Sequence, residues 1–252
     1  LDLHSFPTRR SSDLQIAILL DTSGSMQGLI QQAKTQIWKI VNEFIVMNRN
    51  GVRPQIEVAL YQYGNDGLPA EEGWIRQMLP LTTDLDRVSK ELFALSTNGR
   101  TECCGRVIKE AVERLQWSAD RGTLKVILIA GNEPFTQGNV DFHESCKSAA
   151  SKGIIVNTIH CGSYEEGVNG KWKDGADIAD GKYLCIDSNQ AVVSITAPQD
   201  AELARLSAEI NATYVPYGAQ GTEGARTQHD QESNASSSGP SAQAERAVTK
   251  GS

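Results

Sequence analysis

The chain has few of the residues that mark a catalytic or metal centre. Its 252 residues include four histidines and five cysteines, with no CxxC and no paired HxxxH, so zinc-type ligand spacing is absent. No apolar run approaches the roughly 20 residues that a membrane-crossing helix needs. Basic residues are outnumbered 24 to 31, and a net charge of −7 makes a poor nucleic-acid binder. The four tryptophans, Trp38, Trp74, Trp117 and Trp172, form neither stripe nor cage, which reads as packing. Cys103, Cys104, Cys146, Cys161 and Cys185 sit in a chain too long for a disulfide-framed miniprotein; they read as small buried residues with room for one bridge.

The two ends lack the character of a folded domain. Asp2 to Leu14, DLHSFPTRRSSDL, is encoded without a mismatch by a common short-read sequencing adapter, so residues 1–14 are expected to be non-native and Gln15 is the first residue used for fold reasoning. From Ala219 onward, Gly, Ser, Gln, Ala and Thr dominate, with scarcely an aliphatic residue before Val248. Such a stretch buries too little to offset its ordering entropy, and residues 219–252 are expected to be a flexible, clipped tail. One domain over 15–218 remains, large enough for a continuous core.

Between these ends, short Ile/Val/Leu runs alternate with amphipathic stretches of helix length, the pattern of a sheet covered on both faces by helices. Strands are expected at Ile16–Leu20, Ile56–Tyr63, Trp74–Leu79, from Lys125, at Ile154–Gly162 and at Lys182–Asp187. The second and third, joined by GNDGLPAEEG, form an antiparallel edge. Helices are expected at Gly28–Val46, Thr82–Leu95 with Asp84 or Asp86 as N-cap, Val107–Trp117, Val140–Lys152 and Pro198–Ile210.

Within QIAILLDTSGSMQG the first strand ends in one carboxylate, two serine hydroxyls and two glycines. In an open, mostly parallel α/β sheet the ligand crevice lies beyond the carboxyl ends of the strands, where strand order reverses. Asp21, Ser23 and Ser25 present oxygens at alternate positions, and Gly24 and Gly28 let the chain curl so that they converge. Oxygen donors with few charges suit Mg²⁺ or Mn²⁺, leaving the ion net positive and open to a further carboxylate. The competing reading is a helix cap, a task these residue types perform well.

The D-x-S-x-S pattern, a Thr in a later glycine-bearing loop and the strand and helix order resemble a von Willebrand factor type A domain with its metal-ion-dependent adhesion site. The resemblance covers nearly all of 15–218 and implies a Rossmann-like three-layer α/β sandwich that binds another protein through a divalent cation. Asp21, Ser23 and Ser25 match the first metal loop, and Thr101 matches the second. The third loop departs from the pattern: AGNEP places Gly131 where an aspartate is expected, leaving Asn132 or Glu133 to substitute. A scaffold that has lost its metal is therefore the alternative to a working adhesion site.

A phosphatase of the haloacid dehalogenase type also places a nucleophilic Asp at a central strand end, but it needs D-x-D, and Ser23 stands at the third position. His160 and Cys161 are neighbours on a strand and point to opposite faces, which disfavours a nucleophile and base pair. In SYEEGVNGKWKDGADIADG, Glu165, Glu166 and Asp174 form either a solvated face or a contact for a basic partner. The overall reading is a protein-binding module, not an enzyme, with an extracytoplasmic location favoured. For that location the expected bridge is Cys104–Cys161, both at the crevice end, with Cys103 pointing elsewhere.

Overall fold

The computed structural model describes residues 13–46, 54–99, 103–186, 205–206, 208–213, 215–216, 221–237, 243 and 247. Six strands form one sheet: β1 (Leu14–Asp21), β2 (Ile56–Tyr63), β3 (Ile75–Thr82), β4 (Leu124–Gly131), β5 (Ile154–Cys161) and β6 (Tyr183–Ile186), ordered β3-β2-β1-β4-β5-β6. β1 pairs in parallel with β2 and β4, and β5 and β6 continue the parallel half. β3 alone runs antiparallel, against β2. Its exposed Arg76, Gln77 and Pro80 suit an edge that must not pair further.

β1 is buried at every position, as expected of a central strand covered on both faces. Period-two alternation splits it between two cores. Ile16, Ile18 and Leu20 meet Ala33, Ile37 and Val41 of α1 (Ile30–Val46) and Val88 and Leu92 of α2 (Leu85–Ala94). Ala17 and Leu19 face Val107, Ile108 and Ala111 of α3 (Cys104–Arg114) and Cys146 and Ala149 of α4 (Phe142–Ser151). Two short helices, α5 (Tyr164–Asn169) and α6 (Trp172–Ile178), connect β5 to β6. The result is the expected three-layer, mostly parallel sandwich with one antiparallel edge.

Several boundaries move. Leu14, assigned above to the non-native segment, is 4 % exposed and pairs with Ile56 and Leu124. Thr82 ends β3, and α2 starts after the Asp84 cap, whose carboxylate accepts from Arg87 N at 3.0 Å. α3 begins at Cys104, earlier than expected, because Gly105 lets the helix approach the 140–142 segment: a Cβ there would lie 2.3 Å from Val140 O. Of the expected 198–210 helix, residues 205–206 and 208–210 are helical and the rest lies outside the described residues.

Within the stretch expected to be a tail a helix forms, and the expected cysteine bridge is corrected. Gly221–Ser237 of the expected flexible tail is a helix, α7, packed on α2. Its contacts are polar, which an aliphatic count overlooks: Gln231 donates to Asp86 O at 2.7 Å and Lys90 pairs with Asp230 at 3.3 Å. The Cys104–Cys161 bridge does not form, and all five cysteines are thiols. Strand parity is the reason. Cys161 follows Ile159 into the α1-side core, while Cys104 belongs to the core on the opposite face.

Candidate functional site

The carboxyl ends of β1 and β4 meet where strand order reverses, and the DTSGSM turn crosses this point. Asp21 and Ser23 are 1 % and 0 % exposed, whereas Ser25 faces solvent. The Asp21 carboxylate accepts from Ser23 N at 2.7 Å through Oδ1. Ser23 Oγ and Ser25 Oγ lie 2.8 Å apart, and Ser25 Oγ donates to Asn132 Oδ1 at 2.9 Å. Asn132 Nδ2 returns a bond to Ser25 O at 3.3 Å. The side chains of Ser23, Ser25 and Asn132 thus form one chain of contacts to the surface, which Asp21 joins at the buried strand end through the backbone N–H of Ser23.

The loop conformation follows from backbone contacts. A 3-10 turn, Gly24–Met26, drops the buried Met26 into the core, and Gly28 at φ +88° redirects the chain into α1. Thr22 N donates to Tyr63 O at 2.8 Å, Asn98 N to Thr22 O at 2.9 Å, and Gly24 N to Gly99 O at 2.6 Å. The first bond ties the loop to the end of β2, and the other two stitch it to the loop that follows α2. A Cβ on Gly24 would stand 2.8 Å from Gly99 O, so the approach requires glycine. Thr101 lies outside the described residues.

Lys34 of α1 holds the start of that second loop. It is wholly buried, and its ammonium donates to Phe93 O at 3.1 Å and Leu95 O at 2.5 Å, carbonyls at the C-terminal end of α2. Desolvation pulls its pKa down to about 8. Its spacing was a usable signal: four residues after Ile30 and three before Ile37, Lys34 falls on the apolar face of α1.

Gly131 occupies the expected carboxylate position for a steric reason. A Cβ there would lie 2.7 Å from the Tyr63 hydroxyl and 3.0 Å from Asp21 Oδ2. That hydroxyl is buried and donates to Ala130 O at 3.1 Å. Burial, followed by the neighbouring Cys104 and Asp21, keeps the phenol protonated well above its usual value. With no room at 131, the third loop reaches the rim through the next residue, Asn132. Glu133 makes a different contact: its carboxylate accepts from Gln137 Nε2 at 3.3 Å and its carbonyl from Trp172 Nε1 at 2.8 Å.

The donor set is therefore one carboxylate, two hydroxyls and an amide oxygen, all hard oxygens of the kind Mg²⁺ and Mn²⁺ accept. Among the described residues no group of three or more His, Cys, Asp or Glu is placed to hold a metal ion. His160 and Cys161 fall on opposite faces as expected, His160 beside Trp172 with ring centroids 5.7 Å apart.

Fold and rim together describe an open α/β sheet with an oxygen-lined loop cluster at its switch point. The sequence profile of the von Willebrand factor type A domain matches residues 15–181, and the chain belongs to that family. Among solved structures it is similar to BatB, a conserved hypothetical protein from Bacteroides thetaiotaomicron, at 21 % identity and a TM-score of 0.54 over 77 % of this chain and 99 % of that one. An aerotolerance-related membrane protein from Bacteroides fragilis aligns at 17 % identity and 0.50, over 71 % and 94 %. Proximal thread matrix protein 1 of the mussel byssus, with a zinc-occupied adhesion motif, aligns at 10 % identity and 0.50, over 72 % and 43 %. At such identities the likeness carries the fold alone. Comparison with curated proteins finds no match.

Proposed function

We propose that this chain is a protein-binding module whose rim of Asp21, Ser23 and Ser25 holds Mg²⁺ or Mn²⁺, completed by a carboxylate from a partner protein. The observation that carries the reading is the contact chain from Asp21 through Ser23 and Ser25 to Asn132. Asp21 supplies the negative charge from a position buried enough to keep its field unscreened. Ser23 and Ser25 contribute neutral oxygens, and Asn132 takes the third-loop role instead of Glu133. Thr101 is proposed as the second-loop contributor on the family pattern. When bound, the cation supplies a Lewis-acidic position for the partner's carboxylate.

Calorimetric titration of Mg²⁺ and Mn²⁺ into wild type and Asp21→Ala tests the proposal. Heat from wild type alone supports it. Equal absence of heat supports a second reading, a metal-free scaffold, which the single carboxylate of the rim also favours. Catalysis finds no support in the rim, since acid–base hydrolysis at Asp21 would need a second carboxylate beside it. An extracytoplasmic place for the module is part of the same proposal. Among the described residues no helix is long and apolar enough to cross a membrane.

A further inference from the structure

The third loop, which carries Asn132 to the rim, leaves β4 at Gly131 and runs to the Asp141 cap of α4. Among the described residues its bonds to the first loop are the two between Asn132 and Ser25, at 2.9 and 3.3 Å. Ser25 faces solvent, so water competes for both. The direction of Asn132 therefore depends on what holds the loop farther in.

That hold comes from the turn between α5 and α6. Gly170 O accepts from Phe135 N at 2.8 Å, and Trp172 Nε1 donates to Glu133 O, also at 2.8 Å, so one turn grips the loop on both sides of Pro134. Lys171, between the two gripping residues, is left-handed at φ +71°, a conformation uncommon outside glycine. Proline extends the grip along the chain. Its ring fixes its own φ and confines the residue before it to extended backbone, so holding the Glu133 carbonyl restricts the segment back to Asn132.

Trp172 is firmly seated. It is 1 % exposed, its carbonyl accepts from the buried Thr158 Oγ1 of β5 at 2.8 Å, and its ring meets Phe135 edge-on with centroids 4.8 Å apart. Phenylalanine fills a core position of this kind as well; what the indole adds is one N–H, and that N–H goes to the loop. We propose that Trp172 is a positioning residue for the rim, aiming the Asn132 oxygen at Ser25 through the Glu133 carbonyl. The inference rests on the metal-rim reading above, in which Asn132 takes the third-loop role. It gives the α5–α6 segment a share in cation affinity, as outer partners of metal ligands commonly have.

The experiment uses the full chain, ¹⁵N-labelled, as wild type, Trp172→Phe and Ile154→Val. Ile154 shares a core with Trp172 but lies at the end of β5 away from the rim, so its truncation lowers stability without touching the loop. In EDTA, the NMR order parameter of the Asn132 side-chain amide is expected to fall in Trp172→Phe and to hold in Ile154→Val. Calorimetry with Mn²⁺ should show binding about tenfold weaker in Trp172→Phe and unchanged in Ile154→Val. Should Trp172→Phe fail to fold, 3-benzothienylalanine at position 172 keeps the shape of the indole and lacks only its N–H. An Asn132 amide as ordered without that N–H as with it, an equal loss of order in Ile154→Val, or full Mn²⁺ affinity in the variant would each overturn the assignment. The EDTA measurement needs no metal, so a wild type that binds no Mn²⁺ would sink the metal reading alone, and the order parameter would still decide whether Trp172 holds Asn132.

Discussion

Replacing Lys34 with Met removes two hydrogen bonds from an ammonium to carbonyls and, with them, a charge sealed between α1 and α2. Hydrogen bonds to charged groups contribute about 1.5–3 kcal/mol each, so their loss costs roughly 4 kcal/mol. Against that, the pKa is depressed from 10.5 to about 8, meaning that burying the protonated form already costs about 3 kcal/mol at pH 7. The net effect at pH 7 is a destabilisation of about 1 kcal/mol, and its pH dependence is the sharper test. Below about pH 8 both folded and unfolded states are protonated at this site. Between about 8 and 10.5 the unfolded state binds more protons, so the contribution of Lys34 to stability rises with pH. The stability gap between wild type and Lys34→Met should widen by about 2 kcal/mol from pH 7 to pH 9.5. Taking the difference cancels the opposing trend from buried tyrosines and cysteines, which both proteins share. Urea unfolding followed by tryptophan fluorescence at several pH values measures it. A gap constant with pH would show that the two carbonyls fully replace the water lost by the ammonium, and would refute the argument.

Asn132→Asp adds a carboxylate beside Ser25 and should raise Mn²⁺ affinity by about tenfold in calorimetry, since site charge tunes divalent binding; unchanged affinity would place the ion elsewhere. Gly131→Ala should lose about 1–3 kcal/mol in urea unfolding from overpacking against Tyr63, and Tyr63→Phe in the same chain should recover part of that loss. Cys104, Cys146 and Cys161 should react with a thiol reagent only after denaturation, because all three are buried and burial pushes the thiols of Cys146 and Cys161 up, that of Cys146 to about 12. Rapid labelling of the native protein at Cys161 would contradict the packing of the α1-side core.

The sheet was legible because its central strands are covered on both faces: β1, β4 and β5 read as apolar runs whatever lies beside them. The first half of the rim was legible for a related reason, since Asp21, Ser23 and Ser25 sit on one continuous turn. What escaped depends on contacts distant in sequence. The role of Asn132 follows from the Tyr63 hydroxyl crowding position 131, and Tyr63 lies in a different strand. The early start of α3 follows from Gly105 against Val140, and α7 forms on polar contacts to α2 that no hydrophobic pattern announces. The parity of Cys161 was readable; that of Cys104 was not, because its place at the start of a helix was not.

The crowding at Gly131 also constrains how this rim can change over generations. An aspartate at 131 would meet the Tyr63 hydroxyl and bring a second carboxylate within reach of the buried Asp21, so that substitution is harmful unless Tyr63 has shrunk first. Shrinking Tyr63 alone leaves Ala130 O without its donor and a gap in the core on the α3 side. Each step is a loss by itself, and the pair is reachable only through a less fit intermediate, a case of sign epistasis. Asn132→Asp needs a single base change and meets no such barrier. A lineage under selection for tighter cation binding should therefore acquire its second acid at 132, one residue beyond the place where sequence comparison would look for it.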